Sequence, residues 1–238
     1  SISSMIVVNC LFKTDVTYKE LRLSTFKWIH WNYGGGKLNI EVGYFPKRYY
    51  DSNPDAGGFF PFAIEGTTPY VFSMDGFYLP ECDQNFLPLW MRNIKAFPLY
   101  FCAEVSSYCK DEFEHNCKEF NISYRYLNNR YVVTEIQNEK QFQEIFPFYI
   151  TLGSGNDLVL WSTNKDVFSV EQREWKGNWE GKIAGTVVVK VEVDTSIFWI
   201  GYDGDNIGVI SSQSYFATYK KIINTFPDFV VPKLCKYE

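Results

Sequence analysis

Residues 185–211 read GTVVVKVEVDTSIFWIGYDGDNIGVIS, three runs rich in valine, isoleucine and aromatic residues cut by Asp-Thr and Asp-Gly-Asp. Such side chains fit a pleated, half-buried surface, and Asp, Gly and Asn accept the backbone conformations of tight turns. A chain with this block must build sheet, and much of the remainder repeats the pattern. "KLNIEVGYF" (37–45) alternates, and "MIVVNCLF" (5–12) reads as a buried strand. "PYVFSMDGFYL" (69–79) sets Asp75-Gly76 between apolar runs, and "NISYRYLNNRYVVTEI" (121–136) sets Asn128-Asn129 likewise; both predict hairpins. "FYITLGSGNDLVLWS" (148–162) predicts strand, glycine turn, strand.

Helical signals are fewer and shorter. In "FCAEVSSYCKDEFEHNCKEF" (101–120), Cys102, Val105, Cys109, Phe113, Cys117 and Phe120 recur at helical spacing and predict one apolar face. "NFLPLWMRNIKAF" (85–97) predicts a short helix from near Pro88, and "NEKQFQEIF" (138–146) one capped by Asn138 and closed before Pro147. "VEQREWKGNW" (170–179) reads as a polar helix or loop. "SQSYFATYKKIINTF" (212–226) predicts an amphipathic helix capped at Ser212 or Ser214, with Tyr215, Tyr219, Ile222 and Ile223 on one face. The expected class is α+β: an antiparallel, hairpin-rich β-meander packed with a few short helices. We read residues 1–238 as one domain, with a weak boundary near residue 137.

Composition narrows the function classes. With 46% hydrophobic and 21% charged residues the chain is globular rather than disordered. No window approaches a membrane span, and the N-terminal run lacks a basic leader and a cleavage site, so a soluble, cytoplasmic protein is expected. A net charge of −5 argues against generic nucleic-acid binding, which gains from counterion release at a basic surface. An acidic chain suits a basic protein partner.

Six cysteines invite a disulfide framework. Those at 102, 109 and 117, on one helix, would stand roughly 10–12 Å apart along its axis, beyond the ~7 Å reach of a bridge. Reduced, buried thiols are the expectation. His115 sits two residues from Cys117, about 200° round a helix, so no zinc site is expected there. No nucleotide fingerprint surrounds Gly34-Gly35-Gly36, and neither His30 nor His115 accompanies a nucleophile motif. No cofactor, metal or catalytic set is expected.

Asp203-Gly204-Asp205-Asn206 reads as hairpin punctuation first and a weak cation site second. An EF-hand loop needs alternating ligands ending in a bidentate glutamate, and no acid follows Asp205 until Asp228. The remaining candidates form two sets. Asp111, Glu112, Glu114 and Glu119, with Asp203 and Asp205, are exposed acids, and Trp175 and Trp179 lie in loop-like "WKGNWEG". Tyrosine and tryptophan on loops anchor protein interfaces. The expected function is protein binding: an inhibitor, such as an immunity protein neutralising a basic toxin or enzyme, acting through an acidic, aromatic-rich face. The alternative is a sugar-binding module or glycosidase drawing on Glu171, Glu174, Glu180, Glu192 and Asp194 beside Trp161, Trp175 and Trp179.

Overall fold

The computed structural model describes residues 37–50, 59–82, 85–174 and 180–237. The predicted strand 5–12, His30 and the glycine triplet fall outside these, as do Trp175 and Trp179. Twelve strands are described: β1 (Leu38–Tyr44), β2 (Ala63–Gly66), β3 (Tyr70–Asp75), β4 (Leu99–Glu104), β5 (Ser123–Tyr126), β6 (Tyr131–Ile136), β7 (Val159–Ser162), β8 (Phe168–Glu174), β9 (Ile183–Val191), β10 (Ser196–Ile200), β11 (Ile207–Ser211) and β12 (Val230–Leu234). The helices are α1 (Lys47–Tyr50), α2 (Phe86–Asn93), α3 (Lys110–Glu119), α4 (Glu139–Ser154) and α5 (Tyr219–Ile223). The class is α+β, dominated by sheet.

Nine strands form one sheet in the order β12-β1-β3-β11-β10-β7-β4-β6-β5, and three form another, β2-β9-β8. In the large sheet every pair is antiparallel except β1 with β12. Consecutive strands pair at β5-β6, β8-β9 and β10-β11, and sequence-distant strands meet elsewhere. β9 pairs with β2 and β8, so the 185–211 block is divided between the two sheets.

Alternation along the central strands separates two apolar clusters. Toward one face point Phe101, Trp161, Phe198 and Val209, covered by α2, α3, α4 and α5. Toward the other point Cys102, Leu160, Ile197 and Ile210, which cluster with Val187, Val189 and Val191 of β9. The helix-side face has an internal order that the register creates. Tyr44, Phe72, Val209, Phe198, Trp161, Phe101, Thr134 and Tyr124 are successive cross-strand partners in one row, from β1 to β5. Its middle is a ring stack: Trp161 lies 5.3 Å from Phe101 and 5.2 Å from Phe198, both at 14°. Tyr149 of α4 stacks on Phe101 at 4.6 Å and bonds Thr134 through its hydroxyl at 2.7 Å. Much of the aromatic content is therefore core, where stacked pairs add about 0.5–1.5 kcal/mol beyond burial.

Several expectations change. Cys102 lies on β4, and the helix of the cysteine segment starts only at Lys110, because LYFCAE is buried on both sides between β6 and β7. Asn138 does cap α4, accepting from the Gln141 amide, but the helix continues through Pro147 to Ser154 and absorbs the predicted strand at 148–154. Burial of Phe142, Ile145, Phe146, Tyr149 and Leu152 outweighs the lost hydrogen bond. Of the segment 170–179 read as polar helix or loop, residues 170–174 belong to strand β8, and 175–179 lie outside the described residues. Asp75-Gly76 turns the chain with Gly76 at φ 87°, yet the chain enters a 3-10 turn at Leu79–Glu81 rather than a hairpin, since β1 and β11 already flank β3. The 212–226 segment is a 3-10 turn (Ser214–Phe216) followed by α5, whose cap is Thr218. Among the described residues no helix is long and apolar enough to cross a membrane.

Candidate functional site

Asp203 and Asp205 occupy the turn between β10 and β11, so the hairpin reading holds. Local packing explains its composition. Gly201 lets the Asn206 side chain lie against the backbone, where a Cβ would stand 1.9 Å from Asn206 Oδ1. Asp203 is left-handed at φ 58° and Gly204 at φ 75°. Asp203 is fixed from outside the hairpin: its amide donates to Asn156 Oδ1, and Asn156 Nδ2 donates to its carboxylate, both at 2.8 Å.

Strand directions bring distant segments to this end of the large sheet. β10 ends here, antiparallel β7 begins here at Val159, β4 ends at Glu104, and β6 begins at Tyr131. The chain leaves β4 through residues 105–109 into α3, so Asp111 and Glu112, in the first turn of that helix, join the same end. Between the two predicted acid sets lie two acids that sequence reading missed, Glu104 and Asp157. Arg130 donates through Nε at 2.7 Å and a terminal nitrogen at 2.6 Å to Glu104 Oε1. Burial raises the Asp157 carboxyl above its ordinary value; the Glu104 carboxylate adds to this and Arg130 opposes it. Asp111, Asp203 and Asp205 are exposed. Acids from the β10-β11 turn, β7, β4 and α3 thus make one acidic end. No sequence spacing encodes it, because strand order alone joins residues 104, 157 and 203.

Glu114, further along α3, behaves differently. It accepts from the Tyr126 hydroxyl at 2.9 Å and pairs with Lys110 at 3.9 Å, while Lys110 covers the Tyr126 ring at 5.1 Å. His115 lies on the exposed side, its Nε2 3.4 Å from Glu119 Oε2. Among the described residues no group of His, Cys, Asp and Glu is arranged to hold a metal ion.

Of the sugar-site residues, Trp175 and Trp179 lie outside the described residues, Trp161 is buried, and Glu174 and Glu192 stand far apart. Trp161 is 0% exposed in the ring stack and offers no platform. Glu174 stands opposite Ile183 at the start of β9, while Glu192 follows its far end, roughly 30 Å away at strand rise. A glycosidase pair needs about 5–9.5 Å. Glu171 is held by Arg173 at 2.9 Å and Glu192 by Lys190 at 2.8 Å.

Cys102, Cys109, Cys117 and Cys235 are free thiols. Burial pushes Cys102 and Cys117 up to about 12, so both are protonated and inert at neutral pH. No family model, curated protein or solved structure matches the chain.

Proposed function

We propose that this chain is a cytoplasmic protein-binding protein that recognises a basic partner through the acidic end of its large sheet, as an inhibitor or immunity protein neutralises a basic toxin or enzyme. One observation carries the reading: strand order gathers Asp111, Glu112, Glu104, Asp157, Asp203 and Asp205 at one end, with the Asp203 turn clasped from a neighbouring element. Arg130 offsets one of these charges, and the net negative field that remains steers an oppositely charged protein and raises its on-rate. Tyr202, 57% exposed beside Asp203, supplies an aromatic anchor of the kind that slows dissociation. Free thiols fit a reducing compartment.

The test is to immobilise the full chain, apply lysate at low salt, elute with high salt, and repeat with Asp111→Lys/Asp205→Lys. The expected result is one stoichiometric basic protein, released by salt and not retained by the charge-reversed variant. A partner indifferent to both salt and charge reversal would overturn the reading.

A further inference from the structure

The two edges of the large sheet differ. β12 carries Pro232, which has no amide to donate, and Lys233, both devices that blunt an edge. β5, SYRY, has neither, and its one charge is tied up by Asp166, 3.3 Å from Arg125. Among the described residues β5 pairs with β6 alone. The Leu127 amide donates to Tyr131 O at 2.9 Å, which makes 127 and 131 a hydrogen-bonded pair. In an antiparallel ladder such pairs alternate, so 125/133 and 123/135 share that status, and the N–H and C=O of Tyr124 and Tyr126 turn outward.

Side chains beside this edge have a definite character. Tyr124 ends the cross-strand row and is 41% exposed, so an added strand would extend the row by one residue. A groove of about 700 Å³ lies at the start of β5, lined by Glu114, Lys118, Ser123, Tyr124 and Glu135 among others. The two carboxylates lie on opposite faces of the sheet. Glu114 comes from α3 and bonds Tyr126, whereas Glu135 follows Thr134, whose hydroxyl faces α4.

We propose that β5 receives an extended segment of a basic protein as an added strand. The outward backbone groups of Tyr124 and Tyr126 close its main-chain bonds. Glu114, which already accepts from Tyr126, and Glu135, which accepts from Gln137 at 2.8 Å, each offer the second carboxylate oxygen to a Lys or Arg side chain, one on each face. Main-chain bonding supplies affinity in this mode, and the flanking side chains supply specificity. The inference rests on the basic-partner reading above and names a docking strand for it.

The test uses the full chain, labelled with nitrogen-15, and a blocked seven-residue peptide of Thr and Val around a central Lys-Arg pair. Its twin carries two Glu instead. The basic peptide at millimolar concentration is expected to slow exchange of the Tyr124 and Tyr126 amides at least about tenfold, and the acidic twin to leave them unchanged. Glu114→Gln/Glu135→Gln is expected to weaken the basic peptide about tenfold while the amide spectrum away from β5 stays that of the folded wild type. No protection at saturation, or equal protection by both peptides, would overturn the proposal. So would protection that grows with protein concentration alone, since a second copy would then be the occupant. A captured basic partner that leaves these amides exchanging freely would sink the β5 proposal while the acidic-end reading stands.

Discussion

Asn156 and Asp203 hold each other through two reciprocal hydrogen bonds of 2.8 Å, and both residues are left-handed, at φ 67° and 58°. The pair ties the residue after the α4 C-terminal turn to the tip of the β10-β11 hairpin, and so fixes the orientation of one acidic segment. Two different losses can be separated here. Asp203→Ala removes the carboxylate bond and adds left-handed strain, whereas Asp203→Gly removes the same bond and relieves it. Denaturant unfolding is expected to show Asp203→Ala destabilised by about 1–2 kcal/mol and Asp203→Gly by roughly 1 kcal/mol less than that. Equal losses would mean that the backbone conformation is not maintained by its neighbours.

Gly153 lets α4 lie directly against Ile200 of β10. A Cβ there would lie 2.6, 2.9 and 3.0 Å from three atoms of the Ile200 side chain, including its branched Cβ. Alanine gains about 1 kcal/mol of helix propensity, but the overlap is with a stiff, fully packed residue and costs about 1–3 kcal/mol. Gly153→Ala is therefore expected to be net destabilising. Gly153→Ala/Ile200→Ala should lose less than the sum of the two single variants, the signature of a relieved overlap. Additive losses would place the strain elsewhere.

What the sequence made legible follows from how local each signal is. The β5-β6 and β10-β11 hairpins could be read because Asn128-Asn129 and Asp203-Gly204 carry their own turn chemistry. The α4 cap could be read because Asn138 bonds Gln141 only three residues away. The far half of α4 could not be. Phe148, Tyr149 and Ile150 look strand-like, and Pro147 signals a stop, yet the sheet face they cover decides their conformation. Cys102 shares helical spacing with Cys109 and Cys117 by coincidence, since its environment is set by β6 and β7. The acidic end was half visible, because Asp111, Glu112, Asp203 and Asp205 stood out in the sequence as candidate surface acids. Glu104 and Asp157 join them only through strand order, which no local pattern carries.

The C-terminal tail is latched to the sheet by titratable groups. Tyr237 donates to Asp75 Oδ2 at 2.6 Å, Ser73 bonds both residues, and Phe45 stacks on the Tyr237 ring at 4.8 Å. Burial, then the bond to Asp75, holds the Tyr237 phenol far above its ordinary value of 10.0. A phenol raised in the folded state contributes stability that is present below its unfolded value and lost as pH climbs past it. Buried Tyr149 is raised too, and Tyr44 and Tyr131 are raised to about 12. Stability is therefore expected to be flat in this respect through neutral pH and to fall steadily above about pH 10. Tyr237→Phe should shallow that alkaline slope and loosen the tail at neutral pH, visible as faster exchange of the Cys235 amide, which donates to Val42 O. An unchanged slope would show that the core tyrosines alone govern alkaline unfolding.

Asp157 separates stability from binding. Its carboxyl is raised by burial first and by Glu104 second, so its charged form is disfavoured in the folded chain relative to the unfolded one. A carboxylate raised in this way costs stability above its folded value, and that cost disappears as pH falls through it. Asp157→Asn keeps the shape, removes the charge and is expected to raise the melting temperature at pH 7, with the gain vanishing toward acid pH. The same variant should slow association with a basic partner, because it removes one charge from the middle of the acidic end. A residue that the fold would do better without, but that binding needs, is what a functional position looks like. If Asp157→Asn is stabilised and binds a basic partner at the wild-type rate, the acidic end is not the recognition surface.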